Sequence, residues 1–465
     1  MFQTSSAIST ATPSNKIKSF DEIDQKICDE IDKLTSEDNT LWTSPEHNRR
    51  EYVHRFFQYP AMMVPVVQKR IIGVILKHNP HIKNVLDPYV GSGTSLVACM
   101  ENGLECYGQD INPLAIILSK TRTGPYYFAA IEKKKVDLFD KILKDKSNKL
   151  EVNFIGITKW FKSEIVIELS KIVRAIKKEK RLAIRRFYWV LLAETIRMTS
   201  NDRTSTFKLH VRPEGEIKNR NISAIEFFQK HFDKCLDDIK EYAELLAKAN
   251  QLTKGTYKSK VKVRLQDSKY KIYVPSNIKN YSMLVSSPPY GDNQTTITYG
   301  QHSYLPLQWI DTEDFGIRNK ADYLKTMTEI DKTAIGGKKL KLDDKELNKI
   351  FNKSVSLKET YDSIALKDDS KKEKVVNFFY ELNQSLEIIY DALSVNSYQI
   401  WTIGNRNVAG IEIPNNKILT ELIQDKKAKL IKVVSRNIIN KRMASRNNST
   451  KLMSAEDILI LRKTV

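Results

Sequence analysis

The run MLVSSPPYGDNQ, residues 283–294, closes an apolar segment with two serines, two consecutive prolines, a tyrosine and a glycine. Proline has no N–H to give to a sheet ladder, so a strand must stop before Pro288 and Pro289. Beyond the strand end stands a rigid stub with a hydroxyl, Ser287, at its base and an aromatic ring, Tyr290, at its tip. Fixed acceptors beside a flat face suit preorganised positioning rather than a covalent intermediate.

A second set of residues lies upstream. LDPYVGSGTSLVA (86–98) puts Gly91 and Gly93 two apart at an expected strand-to-helix turn. Glycine there lets backbone approach a ligand, and a helix N-terminus follows. The dinucleotide fingerprint is absent, because Leu96 stands where its third glycine belongs, and no Gly-Lys-Ser/Thr marks a P-loop. Asp87, four positions before Gly91, disfavours phosphate and favours a cationic ligand. Asp110, 17 residues after Gly93, ends the next strand, where a carboxylate can accept from two ribose hydroxyls. Asp267 ends a third strand. Either of the first two alone could equally cap a helix. The three together point to a nucleoside with a cationic tail, which describes S-adenosylmethionine.

The elements that must position these groups follow from the texture of the chain. IKNVLD and LECYGQD flank the glycine turn as a βαβ unit. KVRLQD, SMLVSSPPY, YQIWTIG, KLIKVVS and DILILRK supply five more strands, the last two as a hairpin-like pair. An open, mostly parallel α/β sheet of seven strands is expected, with ligands beyond its carboxyl ends. Asp110 and Asp267 are 157 residues apart, far more than a simple βαβ unit needs, so a helical insertion must lie between them. In it, helices are expected across 160–198, one of them capped by Ser163, and another from a capping box, Ser223 and Glu226. A helix is expected over 374–395 and a short one near 415–424. The expected division is an N-terminal tail and helix (1–50), the cofactor-binding part of the core (51–121), the helical insertion (122–258), the core with Ser-Pro-Pro-Tyr (259–310), a Lys-rich insertion (311–374) and the rest of the core (375–465). Either insertion could read a target sequence.

The segments DPYVGSGTS, GQDINP and SSPPYGD resemble the amino-group DNA methyltransferases, whose catalytic signature is Asp/Asn/Ser-Pro-Pro-aromatic. The serine form is similar to the cytosine-N4 branch. HRFFQYPAMMVP, TSNDRTSTFKLH, YGDNQTTITYGQHSYL, IGNRNVAGIEIP and RNIINKRM also resemble family blocks, so the likeness spans most of the chain outside roughly 1–45, 125–155 and 315–370. It implies a Rossmann-like class I S-adenosylmethionine-dependent fold with a helical insertion. It further implies that Asp87, Pro88, Gly91, Gly93 and Thr94 form the cofactor loop. Asp110 and Ile111 would lie at the ribose and Asp267 near the adenine, with Tyr59 and Pro60 as a cover. Ser287, Pro288, Pro289 and Tyr290 would hold a base flipped out of the duplex. Arg203, Lys208, Arg406 and Arg442 would contact DNA. The system implied is restriction–modification, with a separate cognate endonuclease as partner.

Composition agrees with a polyanionic partner: 76 basic against 56 acidic residues give a formal charge of +20, which suits double-stranded DNA. Methylation at cytosine C5 needs a thiolate that in its family follows a proline. Cys28, Cys99, Cys106 and Cys235 follow Ile27, Ala98, Glu105 and Lys234, so that chemistry is not expected. The scattered cysteines suggest neither a disulfide framework nor a metal site, and a cytoplasmic protein with no membrane span is expected. Adenine N6, an RNA amino group, or a catalytically silent binding subunit remain as alternatives. A fused endonuclease is not expected, since no carboxylate-carboxylate-lysine cluster stands out.

Overall fold

The computed structural model describes residues 19–47, 50–438 and 455–465. The seven expected strands are β1 (Asn84–Asp87), β2 (Glu105–Asp110), β3 (Val261–Leu265), β4 (Tyr281–Ser286), β5 (Leu393–Ile403), β6 (Ala428–Asn437) and β7 (Ala455–Lys463). They form one sheet in the order β6-β7-β5-β4-β1-β2-β3. β1 to β5 run parallel. β7 lies antiparallel between β5 and β6, so the expected terminal pair is present.

The central strands are apolar on both faces, as a sheet covered on both sides requires. Val85, Cys106, Met283 and Ile400 face one core, while Leu86, Tyr107, Leu284 and Trp401 face the other. The first face is covered by α1 (Phe20–Glu37), α2 (Pro65–His78), α3 (Thr94–Glu101) and α4 (Pro113–Arg122). It is extended by α5 (Phe128–Lys144), α6 (Ser163–Lys177), α7 (Leu182–Thr199) and α8 (Ala224–Lys248), further helices of the long β2–β3 connection. Phe187 of α7 meets Phe56 and Phe232 edge-on at 5.4 and 5.7 Å, and Tyr242 of α8 packs on Tyr52 and Tyr126. The connection therefore shares the core of the sheet. α9 (Tyr299–Trp309) follows the Ser-Pro-Pro-Tyr tetrapeptide, and α10 (Val355–Asp391) and α11 (Asn415–Asp425) cover the second face.

Two local readings are corrected and one holds. Ser163 is the first residue of α6, and Lys162 stands at the cap position. Ser223 does cap α8, its hydroxyl accepting from the Glu226 N–H at 3.2 Å. The helix expected from 374 begins at Val355, and Asp368 (φ −158°, ψ 87°) marks a kink between two helical pieces. Lysines on its outer face masked the buried Leu357 and Ile364. At the far end, Leu393 opens β5, which stops the helix at Asp391.

Candidate active site

β1, β2 and β3 are neighbours, so Asp87, Asp110 and Asp267 follow one another along the carboxyl edge; Asp267 stands two residues beyond the end of β3. Between β1 and α3 the chain turns through Gly91 (φ +47°) and Gly93 (φ +83°), and Gly93 caps α3. A Cβ on Gly93 would lie 3.1 Å from Ser119 Cα, so α4 comes as close as it does only because glycine is there.

Asp110 fastens this loop from the next strand. Its Oδ2 accepts from the Gly91 N–H and its Oδ1 from the Asn112 N–H, both at 2.9 Å. Burial pushes its carboxyl up to about 6, with the backbone donors pulling the other way. Each oxygen keeps a second lone pair for a ligand hydroxyl. Asp267 accepts from the Lys269 N–H at 2.9 Å and is likewise raised by burial. Lys269 makes a buried pair with Glu381 at 2.9 Å, which fixes this turn to α10.

Asp87 faces inward. Its carboxylate accepts from the Tyr89 N–H (3.0 Å), from Ser286 Oγ (2.6 Å) and from Ser95 Oγ. Burial pushes it up to about 6 despite these donors. The side chain thus locks β1 to the last residue of β4 and to the first turn of α3. The attraction of a cationic ligand that the sequence assigned to Asp87 does not follow from this geometry.

Tyr59 and Pro60 are buried beside the loop. A Cβ on Gly91 would lie 3.5 Å from the Tyr59 ring. The Tyr59 hydroxyl accepts from Asn112 Nδ2 at 3.1 Å, and its ring stacks on Tyr299, with centroids 5.6 Å apart. Pro88 is buried, its carbonyl accepting from Ser268 Oγ at 2.7 Å, and Ile111 is half-buried. Thr94 Oγ1 is buried without a partner among the described residues. A left-handed glycine turn, a helix N-terminus, an unpartnered hydroxyl and an aromatic cover fit a nucleoside cofactor of the S-adenosylmethionine type.

Arg122 was not legible from the sequence. Fully buried, it donates to the carbonyls of Phe57 (2.7 Å), His54 (3.2 Å) and Ser92 (3.0 Å), stapling the Tyr59 segment onto the glycine loop. Burial lowers its pKa to about 9. Nothing in a lone arginine near the end of a helix signals carbonyl partners more than 60 positions upstream.

The Ser-Pro-Pro-Tyr tetrapeptide continues β4, directly beside β1, so Ser287 follows the residue bonded to Asp87. Ser287 Oγ donates to Tyr290 Oη at 3.3 Å, and Tyr290 Oη donates to Glu456 Oε1 at 3.2 Å. The Tyr290 carbonyl accepts from Asn415 Nδ2 at 2.8 Å. Burial, reinforced by Glu456, pushes the Tyr290 phenol well above its ordinary range. Ser287, Pro289 and Tyr290 are half-buried and Pro288 is buried.

The four basic residues separate. Arg203 and Lys208 are exposed on a loop held against the segment after the tetrapeptide: the Leu209 N–H donates to Gln301 at 3.2 Å, and the Phe207 carbonyl accepts from Thr298 at 3.3 Å. Arg406 is not a surface contact. Its side chain is 11% exposed, lies against Gly291 and Phe378, and faces Asp292 at 3.6 Å. Lys374 also pairs with Asp292, at 3.0 Å. Arg442 lies outside the described residues. Among those residues there is no His/Cys/Asp/Glu group fit to hold a metal, and no helix is long and apolar enough to cross a membrane.

No known family pattern matches the chain. It is similar to the type II methyltransferase M.MvaI of Kocuria varians, 32% identical over 465 residues that cover 95% of this chain and 98% of that protein. A shorter likeness, 26% identical over 140 residues, relates 29% of it to 25% of the type II methyltransferase M.MjaII of Methanocaldococcus jannaschii. A seven-stranded, mostly parallel sheet with its glycine loop and proline-terminated strand at one edge agrees with the near full-length likeness. The chain belongs to the type II methyltransferases, the DNA methyltransferases of restriction–modification systems.

Proposed function

We propose that this protein transfers a methyl group from S-adenosylmethionine to the exocyclic N4 of a cytosine flipped out of double-stranded DNA. It would protect host sites from a separate cognate endonuclease. The observation that carries this reading is a Ser-Pro-Pro-Tyr turn ending the strand beside the glycine loop. S-adenosylmethionine supplies an electrophilic methyl group, whose bond to the sulfonium sulfur breaks as the bond to nitrogen forms, leaving a neutral thioether, while the amine gives up one proton to solvent. The residues of the chain make the amine able to take it. The lone pair of an exocyclic amine is delocalised into the base. Ser287 Oγ and the Pro288 carbonyl accept its two hydrogens and draw the nitrogen towards a tetrahedral, nucleophilic geometry. Pro288 and Pro289 fix those acceptors in advance, so no reorganisation is needed as the reaction proceeds. Tyr290 offers its ring to the base, and Asp110 and Asp267 hold the nucleoside of the cofactor.

The test is nucleoside mass spectrometry of unmethylated bacterial DNA after incubation with protein and S-adenosylmethionine. N4-methylcytosine is expected. N6-methyladenine would overturn the assignment of Ser287 to cytosine, and no modified base in DNA would overturn the DNA reading in favour of RNA or of a silent binding subunit.

Two further results are expected. Asp110 titrates near 6, so a falling pH protonates it and removes acceptor sites for the ribose. Cofactor affinity measured by calorimetry should therefore weaken as pH drops through 6. Asp110→Asn should bind weakly at pH 7.5 and lose that dependence, and a wild-type affinity constant from pH 5 to 8 would remove Asp110 from the cofactor site. With a net charge of +20, DNA affinity should fall steeply and linearly on a log–log plot against salt. A flat response would show that phosphate neutralisation does not drive binding.

A further inference from the structure

We propose that Glu456, on β7, is a positioning residue that sets the direction of the hydrogen bonds ending at Ser287 and so keeps Ser287 an acceptor for the target amine. The proposal rests on the amine-transfer reading of Ser287 given above.

Three groups stand in line: Ser287 Oγ, Tyr290 Oη at 3.3 Å, and Glu456 Oε1 a further 3.2 Å on. A hydroxyl has one hydrogen and two lone pairs, so two hydroxyls in contact can be polarised either way. A carboxylate can only accept. With Glu456 at the far end, Tyr290 must spend its one hydrogen on the carboxylate. Its oxygen is then left to accept, and the hydrogen of Ser287 turns towards Tyr290. Both lone pairs of Ser287 are thereby free, which the reaction requires, because an amine brings only donors.

The other carboxylate oxygen is held by Arg436. Nη1 of that arginine donates to Glu456 Oε2 at 2.5 Å, and its side chain is 3% exposed. Its Nε and Nη2 are buried without partners among the described residues. β6 and β7 bring the pair together, since Arg436 and Glu456 are opposite one another in the antiparallel register. The tetrapeptide comes from β4, two strands away from β7 across β5. The sheet order thus carries a charge from one end of the sheet to the serine hydroxyl through a single phenol.

Glutamine at 456 keeps the size but adds donors. Its amide N–H₂ can donate to Tyr290 Oη, which would then donate to Ser287, and the hydrogen of Ser287 would point at the incoming amine. Donor would face donor.

Glu456→Gln, Tyr290→Phe and the double variant would be compared in the full-length protein, with thermal midpoint, cofactor affinity by calorimetry and single-turnover methyl transfer measured for each. Glu456→Gln is expected to lower the transfer rate by about ten- to a hundredfold, with cofactor affinity and thermal midpoint near the wild-type values. Tyr290→Phe leaves the Glu456–Arg436 pair whole and tests the same line from its other end; it should also slow transfer. The decisive result is non-additivity: in the Tyr290→Phe background, Glu456→Gln should cost little more. An undiminished further loss in that background would mean that Glu456 does not act through Tyr290 and would overturn the proposal. So would a wild-type rate in Glu456→Gln, or a loss of cofactor affinity and stability in step with the rate. The base modified by the wild-type protein is read separately by mass spectrometry. A wild-type protein that makes no methylated amine defeats the reading of Ser287, whereas a fully active Glu456→Gln that makes one defeats only the role of Glu456.

Discussion

Replacing Ser287 with alanine is expected to slow methyl transfer by about 10²- to 10³-fold, the usual cost of losing one preorganised polar group at a reacting atom. Cofactor affinity should stay near the wild-type value. The separation is expected because Ser287 and the glycine loop sit on different strands. Their link runs through Ser286 and Asp87, whose 2.6 Å hydrogen bond the substitution leaves alone. The loss should therefore appear in single-turnover rate and not in calorimetric binding of S-adenosylmethionine. A rate equal to wild type would take Ser287 out of the reaction. An equal loss of rate and cofactor affinity would show that the substitution had disturbed the loop.

Gly93→Ala should be the most damaging single-methyl change in the glycine loop. Its φ of +83° lies in the left-handed region, which costs a residue with a Cβ about 1–2 kcal/mol. The added carbon would also press on the backbone of α4, at 3.1 Å from Ser119 Cα, and backbone cannot swing aside as a side-chain tip can. Overpacking of that kind costs about 1–3 kcal/mol. A lowered thermal midpoint and a large loss of cofactor affinity are expected together. Gly91→Ala gives the contrast. It shares the left-handed strain, at φ +47°, but its nearest neighbour is the Tyr59 ring at 3.5 Å, an ordinary contact. Stability should fall less. Equal midpoints for the two variants would mean that the approach of α4 to Gly93 does not matter.

The central strands were legible because each is a short apolar run bounded by a turn signal and covered on both faces. The edge strands β3 and β6, with Lys262, Arg264, Lys429 and Lys432 among their apolar residues, were legible from alternation and turn signals. The glycine loop and the Ser-Pro-Pro-Tyr stub were legible because their residue types impose a backbone geometry wherever they occur. What partners across long separations could not be read. Tyr290 and Glu456 are 166 positions apart, and Arg406 looked like any exposed arginine until α10 packed Phe378 against it. Asp87 shows a different failure. A carboxylate at the carboxyl end of a strand can face a ligand or the interior, and the sequence offers no way to choose. Here Ser95 and Ser286, both nearby in the fold and both hydroxyl donors, decide for the interior.

The sheet order also dictates a sequence of assembly. Among the described residues, β6 bonds to β7 and to no other strand, and β7 joins it to β5. On a ribosome, β1 to β5 can pair with one another as they emerge. β6, which follows, has nowhere to go until β7 has been synthesised and has slid in antiparallel between them. For that interval two strands present open edges to any neighbouring chain. The arrival of β7 pairs the free edge of β5 and one edge of β6, and it is the same strand that brings Glu456 to Tyr290. A nascent chain would thus gain the Glu456 partner of its tetrapeptide in the same event that joins β6 to its sheet.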